Sequence, residues 1–89
     1  MTLTNAELRK LKAEAQRLEP VVFVGKGGMT AAVLASIEQA LAARELIKIR
    51  LDHDREERDA LAGKIAEETG AALIMQVGKV AVFYQPKPE

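Results

Sequence analysis

Gly25-Lys26-Gly27-Gly28 sets one lysine among three glycines, directly after the apolar run Val21-Val-Phe-Val24 and shortly before Thr30 and the helix-like AAVLASIEQALAARE. Glycine accepts positive φ and lets another backbone or a ligand come close, so such a cluster marks a forced turn, a close approach, or both. A turn alone rarely needs three. The free amides and positive dipole end of the helix that follows attract a phosphate, and Lys26 adds a full charge beside them. The chemistry on offer is therefore anion binding at a Gly-x-x-Gly loop, with Thr30 at the helix start; the plain alternative is a flexible strand-to-helix connection.

Two nucleotide-enzyme motifs fit poorly. A Walker phosphate loop needs four residues between its first Gly and a Gly-Lys-Ser/Thr, and a dinucleotide fingerprint needs Gly or Ala where Thr30 stands. A loop of similar composition clamps nucleic-acid backbone in KH domains, although there it joins two helices.

The remaining cations must be placed by their elements. Thr4-Asn-Ala-Glu7 fits a capping box opening a helix over residues 5–18, with Leu8, Leu11, Ala15 and Leu18 inward. Arg9, Lys10, Lys12 and Arg17 then fall on its outer half, with Glu7 and Glu14 at the edge of the apolar stripe. A short strand, 21–24, lacks polar alternation and is expected to be covered on both faces. After the loop, a helix over 30–44 turns Val33, Leu34, Ile37 and Leu41 inward, capped by Thr30. Strict alternation in 46–52 gives a strand with Lys48, Arg50 and Asp52 on one wet face, expected at a sheet edge. Asp54-Arg-Glu-Glu57 opens an acidic helix over 55–69 that stops at Gly70. Segments 71–77 and 80–85 pair across Gly78-Lys79, where a leading glycine suits a type II′ turn. The tail 87–89 is expected to fray.

Composition bounds the rest. At 89 residues the chain forms one domain, 1–89 with its core over 5–86, too short for a second core. Without cysteine it has no disulfide framework, thiolate nucleophile or thiolate metal site. Its one histidine, His53, has no second ligand at metal spacing and is expected in a solvated loop. No cofactor or metal is expected. No stretch approaches the roughly 18 apolar residues of a membrane span, and the N-terminus lacks the apolar core of a secretory signal, so a cytoplasmic protein is expected. Net charge is zero, yet residues 1–50 carry eight basic side chains against five acids and residues 51–89 five against eight. Halves of +3 and −3 imply a positive side that steers an anionic partner.

VVFVGKGGMTAAVLASIEQALAARELIKIRL, an acidic helix and ETGAALIMQVGKVAVFYQP, in that order from about Leu8 to Pro86, resemble a bacterial stand-alone CRM domain of the YhbY type. The elements placed above run α-β-α-β-α-β-β, expected as one α/β domain with a four-stranded mixed sheet, and the resemblance implies a fold akin to the C-terminal domain of translation initiation factor three. It also implies RNA binding and association with precursors of the large ribosomal subunit. One departure stands out: Gln85 follows Tyr84 where a basic residue is expected.

The leading expectation is a non-enzymatic RNA-binding module for ribosomal RNA. Its candidate contacts are Gly25, Lys26, Gly27, Gly28, Thr30, Arg9, Lys10, Lys12, Arg17, Lys48, Arg50 and Lys79. No membrane or small-molecule partner is expected, and a monomer is favoured. With three aromatic residues, backbone and shape recognition are expected to outweigh base stacking. From another class comes a protein-interaction module docking a basic partner through the acidic third helix. A phosphate-binding enzyme is disfavoured for want of a base, nucleophile or metal site.

Overall fold

The computed structural model describes residues 2–87. The first helix, α1 (Asn5–Ala15), opens with the reciprocal cap its sequence predicts: the Glu7 amide donates to Thr4 Oγ1 and the Thr4 amide to Glu7 Oε1, both at 3.1 Å. It stops at Ala15, not Leu18. The amides of Arg17 and Leu18 donate to the carbonyls of Glu14 and Ala15, three residues back, so the last turn tightens as the chain nears Pro20. Leu18 still packs inward beside Leu8 and Leu11.

The order continues with β1 (Val22–Val24), α2 (Ala31–Arg44), β2 (Leu46–Leu51), α3 (Arg55–Thr69), β3 (Ala72–Val77) and β4 (Val80–Tyr84), giving the expected α/β domain. Thr30 caps α2 through a 3.2 Å bond from the Val33 amide, and Asp54 caps α3 through a 2.9 Å bond from Glu57. Gly70 ends α3 at φ 76°. In the hairpin turn the positive φ falls on Gly78 and not on Lys79, as the first central position of a type II′ turn requires. The expected fraying over 87–89 falls, for Pro88 and Glu89, outside the described residues; Lys87 donates its amide to Glu45 Oε2 at 3.3 Å.

The sheet order is β1-β2-β4-β3, with β1 and β2 parallel and the other pairs antiparallel. This corrects two expectations. The Lys48/Arg50 strand is central, because β2 bonds β1 on one side and β4 on the other. Strand β1 is an edge covered on one face: Val22 and Val24 are buried, while Phe23 between them is 64 % exposed. A four-residue apolar run reads alike whether one face or two is covered, and here one is.

Two apolar clusters lie on opposite faces of the sheet. On one face Ile37 and Leu41 of α2 and Ala62 and Ile65 of α3 meet Val22, Val24, Ile47, Ile49, Leu51, Ala81 and Phe83. On the other, Ala15 of α1 meets Leu46, Ile74 and Val82. One helix cannot cover four strands. The end of this second face that α1 does not reach is where the side chains of interest stand.

A register shift between Leu73 and Met75 makes Ile74 an extra residue in β3. Regular alternation would send Met75 and Val77 to the α2/α3 face. The shift instead pairs Met75 with Val82 and Val77 with Val80, so both join the face of α1, while Gln76 reaches Asp59 of α3 at 2.9 Å.

Candidate nucleic-acid interface

The glycine segment closes as a β-turn, with the Gly28 amide donating to the Gly25 carbonyl at 3.0 Å and Lys26 and Gly27 at its tip. The three glycines are not equivalent. Gly28 has φ 72°, a conformation that side chains disfavour, so the turn itself needs it. Gly25 and Gly27 have no such φ: a Cβ on Gly25 would meet nothing within 4 Å, and one on Gly27 only the Thr30 methyl at 4.0 Å. Folding therefore leaves two of the glycines unexplained, and both are exposed to solvent with Lys26 between them.

Topology gathers other groups beside this turn. Because β1 and β2 are parallel and β4 runs back, the Gly25 loop, the Asp52–Asp54 connection and the Gly78–Lys79 turn all leave the same end of the sheet. The Leu51 amide donates to the Lys79 carbonyl at 2.7 Å, joining two of them. Asp52 holds Arg50 at 3.1 Å and Lys79 at 3.8 Å. These are the only ion pairs among the described residues, so Arg9, Lys10, Lys12, Arg17, Lys26 and Lys48 have no carboxylate at pairing distance there.

Two helices start at this end, with opposite electrostatics. The first turn of α3 carries Glu56 and Glu57 behind the Asp54 cap, and the hydrogen bond from the Glu57 amide holds the Asp54 carboxyl below its ordinary range. The first turn of α2 carries no acid. Its dipole end is uncompensated and lies directly after the glycine turn.

Helix α1 divides its cations between two flanks. Arg9, Lys12 and Gln16 follow one stripe at three- and four-residue spacing, and Gln16 borders a groove of about 380 Å³ lined by Ala15, Lys48, Met75, Val77, Val80 and Val82. Glu7, Lys10 and Glu14 follow the other stripe, bordering a cleft with Glu45 and Tyr84 toward the opposite end of the sheet. The structure thus leaves Lys10 on the flank of Glu7 and Glu14, beside a cleft that Arg44 also lines, away from the loop. Arg17 is exposed in the turn after α1.

Two single residues are placed otherwise than the sequence suggests. His53 is half-buried, not solvated: both ring nitrogens are covered and lack a hydrogen-bond partner among the described residues, while its carbonyl accepts from Arg58 Nη1 at 2.8 Å. Gln85 turns its amide onto the Thr69 carbonyl at 2.8 Å, so it serves the end of α3. Phe23 is the residue that sequence reasoning passed over. Its sign was the register of a β1/β2 pair, Phe23 opposite Arg50, which no local pattern encodes.

Fold and turn together define a small α/β domain that presents a Gly-x-x-Gly loop at the carboxyl end of a parallel strand pair. The chain belongs to the CRS1/YhbY (CRM) domain family, whose model matches residues 3–85. It is 40 % identical over 89 residues to a Haemophilus influenzae protein named as RNA-binding, an alignment covering 99 % of this chain and 90 % of the relative. A Pseudomonas aeruginosa protein named a probable RNA-binding protein is 34 % identical, with 100 % and 86 % covered. The solution structure of a hypothetical RNA-binding protein of Staphylococcus aureus superposes with a TM-score of 0.84 at 29 % identity, covering 99 % of this chain and 93 % of that one. Among the described residues no group of His, Cys, Asp and Glu could hold a metal ion, and no helix is long and apolar enough to cross a membrane.

Proposed function

We propose that this chain is a non-enzymatic RNA-binding protein that engages ribosomal RNA in precursors of the large subunit through its glycine turn and the cations around it. The observation that carries RNA binding is the pair of glycines the fold does not require. Gly25 and Gly27 leave bare backbone on either side of Lys26, at the acid-free start of α2, where a phosphate gains amide hydrogen bonds, a favourable dipole end and a full charge together. The names of the relatives agree with this reading. The ribosomal part rests on the resemblance of the whole chain to the YhbY type.

The test is a salt titration of binding to a large-subunit ribosomal RNA fragment by the parent and by a Lys26→Ala/Gly27→Asp variant. Both changes are at exposed positions free of positive φ, so the variant is expected to fold normally, bind more weakly and show a shallower salt dependence. Equal affinity across the titration would reduce the loop to a turn. Co-sedimentation in lysate addresses the ribosomal part: confinement to ribosome-free fractions, without crosslinks to ribosomal RNA, would contradict it.

A further inference from the structure

The bare end of the sheet carries a row of side chains set by strand register. Phe23 pairs with Arg50, Arg50 with Val80 and Val80 with Val77, so the four lie side by side across β1, β2, β4 and β3 on the face of α1. Phe23 is 64 % and Val77 61 % exposed, and Arg50 is exposed between them. Three inter-strand gaps make the row about 14 Å long. The next row inward, Lys48, Val82 and Met75, forms the floor of the groove beside Ala15 and Gln16.

An exposed aromatic ring on a charged sheet face is suited to a base, which stacks, and not to a duplex, whose bases are already stacked and covered by backbone. The charge around it is positive: Arg50, Lys48 and Lys79 stand here with Asp52 as the one carboxylate paired to any of them, and Lys26 lies in the turn that directly follows β1. Asp52 occupies one of the five guanidinium donors of Arg50 and fixes that side chain, leaving the others to reach a phosphate. We infer that this face takes a single-stranded segment of RNA, with one base stacked on Phe23 and its neighbours along the Arg50–Val80–Val77 row, while the adjoining phosphates reach Lys26, Arg50 and Lys48. The inference rests on the RNA reading proposed above and adds to it the state of the RNA strand.

The chain has no tryptophan, so Phe23→Trp places a single indole on the proposed platform. The probes are an oligoadenylate of about twenty nucleotides and the same strand annealed to oligouridylate. The single strand is expected to quench the indole and the duplex is not. Phe23→Ala, a truncation at an exposed position, is expected to weaken single-strand binding by about 5- to 150-fold, the range spanned by one lost base–aromatic stack, with no comparable loss on the duplex. Undiminished single-strand binding by Phe23→Ala, or a parent that prefers the duplex, overturns the inference while leaving RNA binding intact. A parent that binds neither probe nor the ribosomal fragment overturns the RNA reading itself. Sedimentation showing a dimer that Phe23→Ala dissolves, with RNA affinity unchanged, assigns the face to a second copy of the chain and overturns the inference as well.

Discussion

The side-chain amide of Gln85 donates to the carbonyl of Thr69 at 2.8 Å, tying the end of β4 to the last turn of α3. A helix leaves its last carbonyls without intrahelical partners, and this bond satisfies one of them. The same amide lies 3.5 Å from where a Cβ on Gly70 would stand, an ordinary contact, so the φ of 76° and not the space is what calls for glycine there. Gln85→Ala is expected to cost about 1 kcal/mol of stability, read as a lower urea midpoint at unchanged slope, with RNA affinity untouched. A large loss of RNA affinity at full stability would instead give Gln85 a phosphate contact.

The glycines should separate by role. Gly28→Ala forces a side chain into φ 72° and is expected to destabilise by about 1 kcal/mol. Gly25→Ala and Gly27→Ala meet no such penalty and are expected to be neutral or stabilising by up to about 1 kcal/mol, while weakening RNA binding. Gly63, exposed within α3 with open space at its Cβ position, provides the control: Gly63→Ala is expected to add roughly 0.5 to 1 kcal/mol with no effect on RNA. Chemical denaturation and filter binding on the same four variants decide it.

The contrast between those glycines also shows what the sequence could reveal. Thr4, Thr30, Asp54 and Gly70 bound helices by local chemistry, a hydroxyl or carboxylate three residues from an amide or a glycine at positive φ, so the starts of all three helices and the end of α3 were legible. The end of α1 was not, because its final bonds shorten from four residues to three without any change in apolar spacing. Strand order escaped for another reason. Alternation in β2 reports a partly uncovered face, and a central strand beyond the reach of α1 shows the same pattern as an edge. The extra residue Ile74 was likewise hidden, yet it carries Met75 and Val77 to the groove. The loop's composition raised an anion site only as a proposal; that Gly28 alone serves the turn required the backbone.

Acid should weaken the fold through its caps. Glu7 is held below its ordinary range by hydrogen bonds from the Thr4 amide and hydroxyl, and Asp54 by the Glu57 amide. A carboxyl with a lowered folded pKa binds fewer protons folded than unfolded, so its contribution is complete above the unfolded value and disappears as pH falls through the folded one. The loss is therefore expected below about pH 4.3 for Glu7 and about pH 3.9 for Asp54. Urea midpoints followed from neutral pH into acid should decline less steeply for the Glu7→Gln/Asp54→Asn variant than for the parent. Parallel declines would show that other groups control the acid limb.

The two flanks of α1 give the sharpest functional comparison, because Lys10 and Lys12 are two residues apart on one helix and change net charge equally when replaced. Lys12 lies on the Arg9–Gln16 stripe that runs to the lip of the groove, whereas Lys10 lies between Glu7 and Glu14 on the stripe that faces the far cleft. An RNA strand following the loop, Arg50 and the groove would pass Lys12 and miss Lys10. Lys12→Ala is expected to lower the salt slope of binding by about 0.7, the value for one fully formed phosphate contact on a single strand, and Lys10→Ala to leave it near that of the parent. Lys64→Ala on the acidic helix is the control for charge alone. Equal effects at Lys10 and Lys12 would mean that α1 acts through its overall field, and the path drawn across the bare end of the sheet would then lose its support from the helix.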